Sequence, residues 1–190
     1  MSEIHAAPVL GVIGGSGVYD IDGLSNTRWE AVAGPWGAPS DKLLFGNLDG
    51  VEMVFLPRHG RGHVQSPSWI NYRANIDAMK RAGVTDIISL SACGSFEEDL
   101  PPGTFVIIDQ FIDRTFAREK SFFGPGMVAH VSMAHPVNAR LGDCCEQAAR
   151  DISVPVHRGG TYLCMEGPQF INKCRSEEHT SELQSQSNLV

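Results

Sequence analysis

Six short apolar runs, each bounded by Gly, Pro or Asp, punctuate this chain: Val9–Ile13, Lys42–Leu48, Val51–Leu56, Asp86–Ser91, Thr104–Asp109 and Thr161–Met165. Their length and boundaries predict β-strands. Asp49-Gly50 joins the second run to the third, and a two-residue Asp-Gly link favours a type I′ hairpin, so that pair is expected to be antiparallel. Two amphipathic segments lie among the runs. The first opens at Ser66-Pro67 or Ser68, carries Trp69, Tyr72, Ile76 and Met79 at helical spacing, and closes at Gly83 as a C′ residue. The second opens at Pro136, sets Val137, Leu141, Cys145, Ala148 and Ile152 on one face, and ends near Ser153. Strands interspersed with helices imply an α/β fold, a mixed central β-sheet flanked by crossover helices. The nearly unbroken apolar run Ile87–Leu90 reads as a central strand covered on both faces.

Charge and composition narrow the partners. With 190 residues, 42% of them apolar, the chain can bury the core of one globular domain. Its 15 Lys+Arg against 22 Asp+Glu give a net charge of -7, so there is no basic field for nucleic acid or an anionic membrane, and a small-molecule partner is expected. The N-terminus has no basic leader, and the apolar stretch from Pro8 to Ile13 is too short for a signal sequence or a membrane span; a cytoplasmic location is expected. Of five cysteines only Cys144 and Cys145 lie close together, a spacing that suits neither a disulfide nor a zinc site. No metal site is read. From Arg175 to Val190 only Leu183, Leu189 and Val190 are apolar, and that stretch is expected to be disordered.

Three segments at strand ends could carry chemistry. Gly14-Gly15-Ser16-Gly17 follows the first strand, where glycines let backbone N–H groups approach an anion and Ser16 adds a hydroxyl; a plain tight turn is an equal alternative. Pro57-Arg58-His59-Gly60-Arg61-Gly62-His63 follows the third, and an Arg fork beside a His can clamp a phosphate by charge-assisted hydrogen bonds. The alternative there is a solvated basic loop. His59 and His63 stand four apart, but the glycines between them argue against a helical metal pair. Ser91-Ala92-Cys93-Gly94-Ser95 ends the fourth strand, where small residues leave room for a ligand; Cys93 reads first as a packing residue. Further on, Asp109–Thr115 reads as a salt-bridged turn as readily as a site, and Phe170 in Glu166-Gly167-Pro168-Gln169-Phe170 could stack on a planar base or fill the core.

Taken together, GVIGGSGVYD, RHGRGH, NYRANIDAMKRAGV, SACGS, PPGTFVIIDQFIDRT and EGPQF, in this order from about Val9 to Phe170, resemble the methylthioadenosine phosphorylases of the trimeric purine nucleoside phosphorylase family. The resemblance implies a purine nucleoside phosphorylase-like fold, incomplete here, with residues 1–170 as the N-terminal part of that domain and 171–190 as a tail outside it. It implies cleavage of the N-glycosidic bond of 5′-methylthioadenosine by inorganic phosphate, giving adenine and 5-methylthioribose 1-phosphate. Phosphate is then a co-substrate, and no cofactor is needed. The resemblance assigns phosphate to Ser16, Arg58, His59, Ser91 and the backbone at Ala92. It assigns the nucleoside to Ala92, Cys93, Gly94 and Phe170, with His130 reaching a neighbouring subunit's pocket in a homotrimer. The family draws its purine-contacting Asp, a Met-Thr segment and a C-terminal helix from sequence downstream of EGPQF, so no catalytic proton donor is assigned here, and a cleft lacking them is expected to lose transition-state stabilisation. Two other readings stand beside it: a methylthioinosine or general purine nucleoside phosphorylase, and a non-catalytic phosphate- or nucleoside-binding remnant.

Overall fold

The computed structural model describes residues 7–15 and 17–167. These fall into two compact units, one made of residues 7–15, 17–92 and 118–124 and the other of residues 93–117 and 125–167.

The first unit is built on a mixed five-stranded sheet. Its strands are β1 (Val9–Gly14), β2 (Ser25–Glu30), β3 (Leu43–Leu48), β4 (Val51–Pro57) and β5 (Asp86–Ser89), in the order β2-β3-β4-β1-β5. β1 runs parallel to both β4 and β5, whereas β3 is antiparallel to β2 and β4. The β3–β4 hairpin turns at Asp49 (φ 49°) and Gly50 (φ 85°), the double left-handed conformation of the anticipated type I′ turn.

Strand alternation sends neighbouring side chains to opposite faces, and both faces of β4 are covered. On one face Ile13, Leu43, Val54 and Leu56 pack with Ala78 and Met79 of helix α1 (Tyr72–Arg81). On the other, Val12, Leu44, Met53 and Phe55 pack beneath Val18, Tyr19, Leu24 and Trp29. Burying a side chain such as Phe55 contributes ~1.5–3 kcal/mol, which makes these two layers the main source of the unit's cohesion. The doubly covered central strand is therefore β4. The run Ile87–Leu90, expected to be central, instead forms β5 at the sheet's edge among the described residues, with alternate side chains exposed.

Helix α1 starts later than its sequence suggested. Pro67–Trp69 forms a separate 3₁₀ turn, and Asn71 caps α1 by accepting from Ala74 N at 3.1 Å while donating to Trp36 O at 2.7 Å. Trp69 thus lies off the helix and is 83% exposed; the buried stripe is Ala74, Asn75, Ala78 and Met79. Gly83, at φ 84°, closes the helix as expected. Residues 118–124 return to this unit, where Arg73 donates to Ser121 O and Trp36 meets Phe122 edge-on. No helix among the described residues is long and apolar enough to cross a membrane.

In the second unit β6 (Phe105–Ile107) pairs in parallel with β8 (Val156–Arg158), and β7 (Gln110–Arg114) with β9 (Thr161–Met165). Helix α2 (Ala139–Asp151) packs against β6 and β8. Its cap is Asn138, which accepts from Leu141 N, so its first residue, Ala139, lies three past the expected Pro136. Gly142 is its one buried residue, because the Arg158 guanidinium lies over it to donate to Ala139 O and Asp143. Ile152, read as part of the covered face, is exposed. The segment read as a salt-bridged turn contains a strand, β7: its main-chain pairing with β9 runs from Gln110 to Arg114 and overrides the polar character of Gln110, Asp113 and Arg114.

Asn75 is buried on the α1 stripe and satisfies Ser40 twice, accepting from its backbone N at 2.8 Å and donating to its hydroxyl at 3.0 Å. Asn75→Ala orphans a buried N–H and should lower unfolding stability by about 1–3 kcal/mol in denaturant titration. A change under about 0.5 kcal/mol would mean that this pair does not anchor the segment.

Candidate functional site

Parallel pairing brings the C-terminal ends of three strands side by side. Gly14 of β1 is opposite Pro57 of β4, and Ile13 is opposite Ser89 of β5. The pairing continues past the strands, for Arg58 N donates to Gly14 O at 2.8 Å and Leu90 N donates to Ile13 O at 2.8 Å. Loops leaving such ends are where ligands collect in open α/β sheets.

Arg58 and Ser91, distant in sequence, meet there. Both terminal guanidinium nitrogens of Arg58 donate to the Ser91 hydroxyl, at 3.3 and 3.2 Å. Arg58 Nε points at His59 Nε2, 3.3 Å away. His59 is buried, and its Nδ1 lies 2.8 Å from Gln65 O. Burial holds the His59 pKa below its usual value; the Gln65 carbonyl pulls the other way, and the charges of Arg58 and His63 push it further down. These effects together favour the neutral imidazole of His59 beside the Arg58 guanidinium. Its ring stacks on that of His63 with centroids 4.3 Å apart.

The loop after Pro57 turns tightly to achieve this. Gly60 (φ 71°), Gly62 (φ 81°) and His63 (φ 57°) all adopt left-handed backbone, and a Cβ on Gly60 would come within 3.1 Å of Ser40 O. Arg61 does not join Arg58. Its side chain forks onto the Asp41 carboxylate at 3.0 Å through Nε and Nη2, its backbone N reaches the same carboxylate at 2.7 Å, and its guanidinium covers the Trp29 ring at 4.1 Å. Arg61 is thus a brace that fixes the loop, and Arg58 is the guanidinium left beside Ser91.

Of the residues singled out in the sequence, Arg58, His59 and Ser91 come together, with Ala92 next along the chain; Ser16 and Phe170 lie outside the described residues. Cys93, Gly94 and His130 belong to the second unit, where all three are exposed and outside helix or strand. In that unit the buried Glu166 accepts from Phe116 N at 2.8 Å and Ala117 N at 3.0 Å, which gives the Glu of EGPQF a structural tie. Asp41, Ser40, Gln65 and Asn75, which support the loop, were missed. Nothing in the spacing of Ser40, Asp41 and Asn75 links them to this loop, because their contacts join residues 20 to 35 apart in sequence.

A model of the phosphorylase superfamily aligns with residues 9–185. The chain belongs to the phosphorylase superfamily. An S-methyl-5′-thioadenosine phosphorylase of Rhodospirillum rubrum is 72% identical over 170 residues, which are 90% of this chain and 58% of that relative. One of Geobacter sulfurreducens is 56% identical, over 91% of this chain and 61% of the relative. Among solved structures, a methylthioadenosine phosphorylase from an Antarctic soil metagenomic library superposes with a TM-score of 0.90 at 43% identity, covering 93% of this chain and 63% of that one. The Schistosoma mansoni methylthioadenosine phosphorylase in complex with adenine gives a TM-score of 0.87 at 38% identity, covering 93% and 71%. The mixed α/β architecture expected from the sequence is the one these structures share. The chain thus spans somewhat over half the length of its curated relatives.

The Asp41–Arg61 brace makes a pH-dependent contribution. Burial alone would raise the Asp41 pKa, but the side-chain and backbone hydrogen bonds from Arg61, with a backbone bond from Lys42, outweigh it and leave the carboxyl below its usual value. A depressed folded pKa means stability present above the ordinary aspartate range and lost as pH falls through it. The melting temperature of Asp41→Asn should lie below wild type at neutral pH, and the gap should close as pH drops below ~4. A gap that does not change with pH would show that the ionised carboxylate adds nothing.

Proposed function

We propose that the protein carrying this chain is a methylthioadenosine phosphorylase, splitting 5′-methylthioadenosine with inorganic phosphate into adenine and 5-methylthioribose 1-phosphate. The observation that carries the reading is the junction of Arg58 and His59, just past β4, with Ser91, just past β5, on either side of β1, in a chain 72% identical to an S-methyl-5′-thioadenosine phosphorylase. In this reading Arg58 takes the phosphate charge through its fork, Ser91 adds a hydroxyl now occupied by Arg58, and Ser16 and the backbone at Ala92 complete the cradle. Cys93, Gly94 and Phe170 border the nucleoside, and His130 serves the pocket of a neighbouring subunit in a homotrimer working in the cytoplasm.

The chemistry follows from charge. As the bond to the purine loosens, positive charge grows on the sugar, and phosphate held by Arg58 serves both as nucleophile and as counter-charge. Holding it in line converts a bimolecular encounter into a local one, an advantage that reaches ~7–11 kcal/mol in well-oriented systems. Phosphate is consumed as a co-substrate, so the reaction runs without cofactor or metal.

The test is adenine release from methylthioadenosine, followed with and without inorganic phosphate. Phosphate-dependent release with formation of a sugar 1-phosphate is expected. Arg58→Ala should raise the KM for phosphate at least about tenfold, the loss of one charge-assisted contact. Release that proceeds equally well without phosphate would make the protein a hydrolase and overturn the reading. Light scattering of the same sample should give three chain masses, and a monomer that turns over normally would remove the trimer.

A further inference from the structure

We propose that His59 is a specificity-determining acceptor that selects tetrahedral oxyanions still bearing a proton, hydrogen phosphate or hydrogen arsenate, over fully deprotonated ones such as sulfate. The inference rests on the phosphate site proposed above and adds the protonation state that fits it.

Two partners fix the tautomer independently. A carbonyl oxygen only accepts, so the 2.8 Å contact with Gln65 O requires the hydrogen on Nδ1. A guanidinium only donates, so the 3.3 Å contact from Arg58 Nε requires a lone pair on Nε2. Both demands are met by one neutral form, with Nδ1–H held inward and Nε2 bare.

The fold secures this arrangement from behind. Gln65 N donates to His59 O at 3.0 Å, closing a ring of backbone around the imidazole's carbonyl partner. The Gln65 side-chain amide donates to Ser40 O at 3.2 Å, and Ser40 is in turn gripped by Asn75 of α1 through its backbone N and its hydroxyl. The stacked His63 ring covers one face of His59. The chain Asn75, Ser40, Gln65 therefore positions the carbonyl that dictates which nitrogen of His59 is bare. The charged or titratable groups acting on His59 are Arg58 and His63, and both disfavour its protonation.

A bare Nε2 needs a donor. Hydrogen phosphate carries one P–O–H, which can replace Arg58 Nε at Nε2 while its bare oxygens take up the guanidinium. Sulfate has no proton to offer and sets lone pair against lone pair, leaving a buried acceptor unmet. Below the histidine range Nε2 gains a proton, becomes a donor, and the discrimination disappears.

Calorimetric titration of the protein with sodium phosphate and with sodium sulfate at pH ~8.5, about two units above the ordinary histidine value, tests this. Phosphate should bind at least about tenfold more tightly, the cost of one unmet buried acceptor. The gap should narrow as pH is lowered through the His59 titration, and should vanish in His59→Gln, whose amide can donate as well as accept. Equal affinities at pH ~8.5, or a gap unchanged in His59→Gln, would overturn the proposal. A measurement needing no variant is ¹⁵N NMR of the wild-type imidazole, which should show Nδ1 protonated and Nε2 bare. The opposite tautomer would overturn the acceptor role while leaving the phosphate site intact. If the wild-type protein bound neither anion, the site itself would fall and the proposal with it.

Discussion

Everything at the candidate site depends on β1 pairing in parallel with two strands at once. Antiparallel neighbours would send the loops after Gly14, Pro57 and Ser89 to opposite ends of the sheet. Parallel register gathers them, and the backbone bonds from Arg58 to Gly14 and from Leu90 to Ile13 extend the alignment beyond the last strand residue. The apolar layers on both faces of β4 serve that register, since a one-residue slip would turn Val54 and Leu56 away from α1 and Met53 and Phe55 away from the opposite layer.

Given that frame, the two arginines of the loop divide the work by what they touch. Arg61 is saturated by Asp41 and lies on Trp29, so its charge is neutralised locally and its contribution is shape. Among the described residues the side chain of Arg58 meets neutral partners, the Ser91 hydroxyl and a His59 ring nitrogen, so its charge is not neutralised there. Two residues of identical type, three apart, thus differ in their surroundings among the described residues, because Arg61 pairs with the Asp41 carboxylate and Arg58 with neutral groups. The lowered His59 pKa fits the same pattern, since an imidazolium there would face Arg58 directly.

How much of this was legible in the sequence varies with the length scale of the interaction. The type I′ hairpin, Gly83 as helix terminator and the strands β1, β3, β4 and β9 could be read because local turn chemistry and apolar period decide them. β2 could not, since Ser25–Glu30 is polar and exposed and is held to β3 by backbone pairing at the sheet edge. Among the described residues β5 lies at the sheet edge with alternate side chains exposed, so its apolar run, read as a doubly covered central strand, reported neither its burial nor its rank in the sheet. Of the site, Arg58, His59 and Ser91 stood out as strand-end residues with suitable chemistry, and the recurrence of several motifs in order identified the family. The supports from Asp41, Ser40, Gln65 and Asn75 were invisible, because a contact such as that of Asn75 with Ser40, 35 residues apart, has no sequence period.

The central claim is that a single tetrahedral anion is shared by the loops that follow β4 and β5 on either side of β1. Crystals of the protein soaked in arsenate, with data collected at the arsenic absorption edge, test it most directly. One anomalous peak within hydrogen-bonding reach of the Arg58 guanidinium, His59 Nε2 and Ser91 Oγ is the predicted result. Arsenate bound elsewhere, with those three side chains still contacting only one another, would contradict the account.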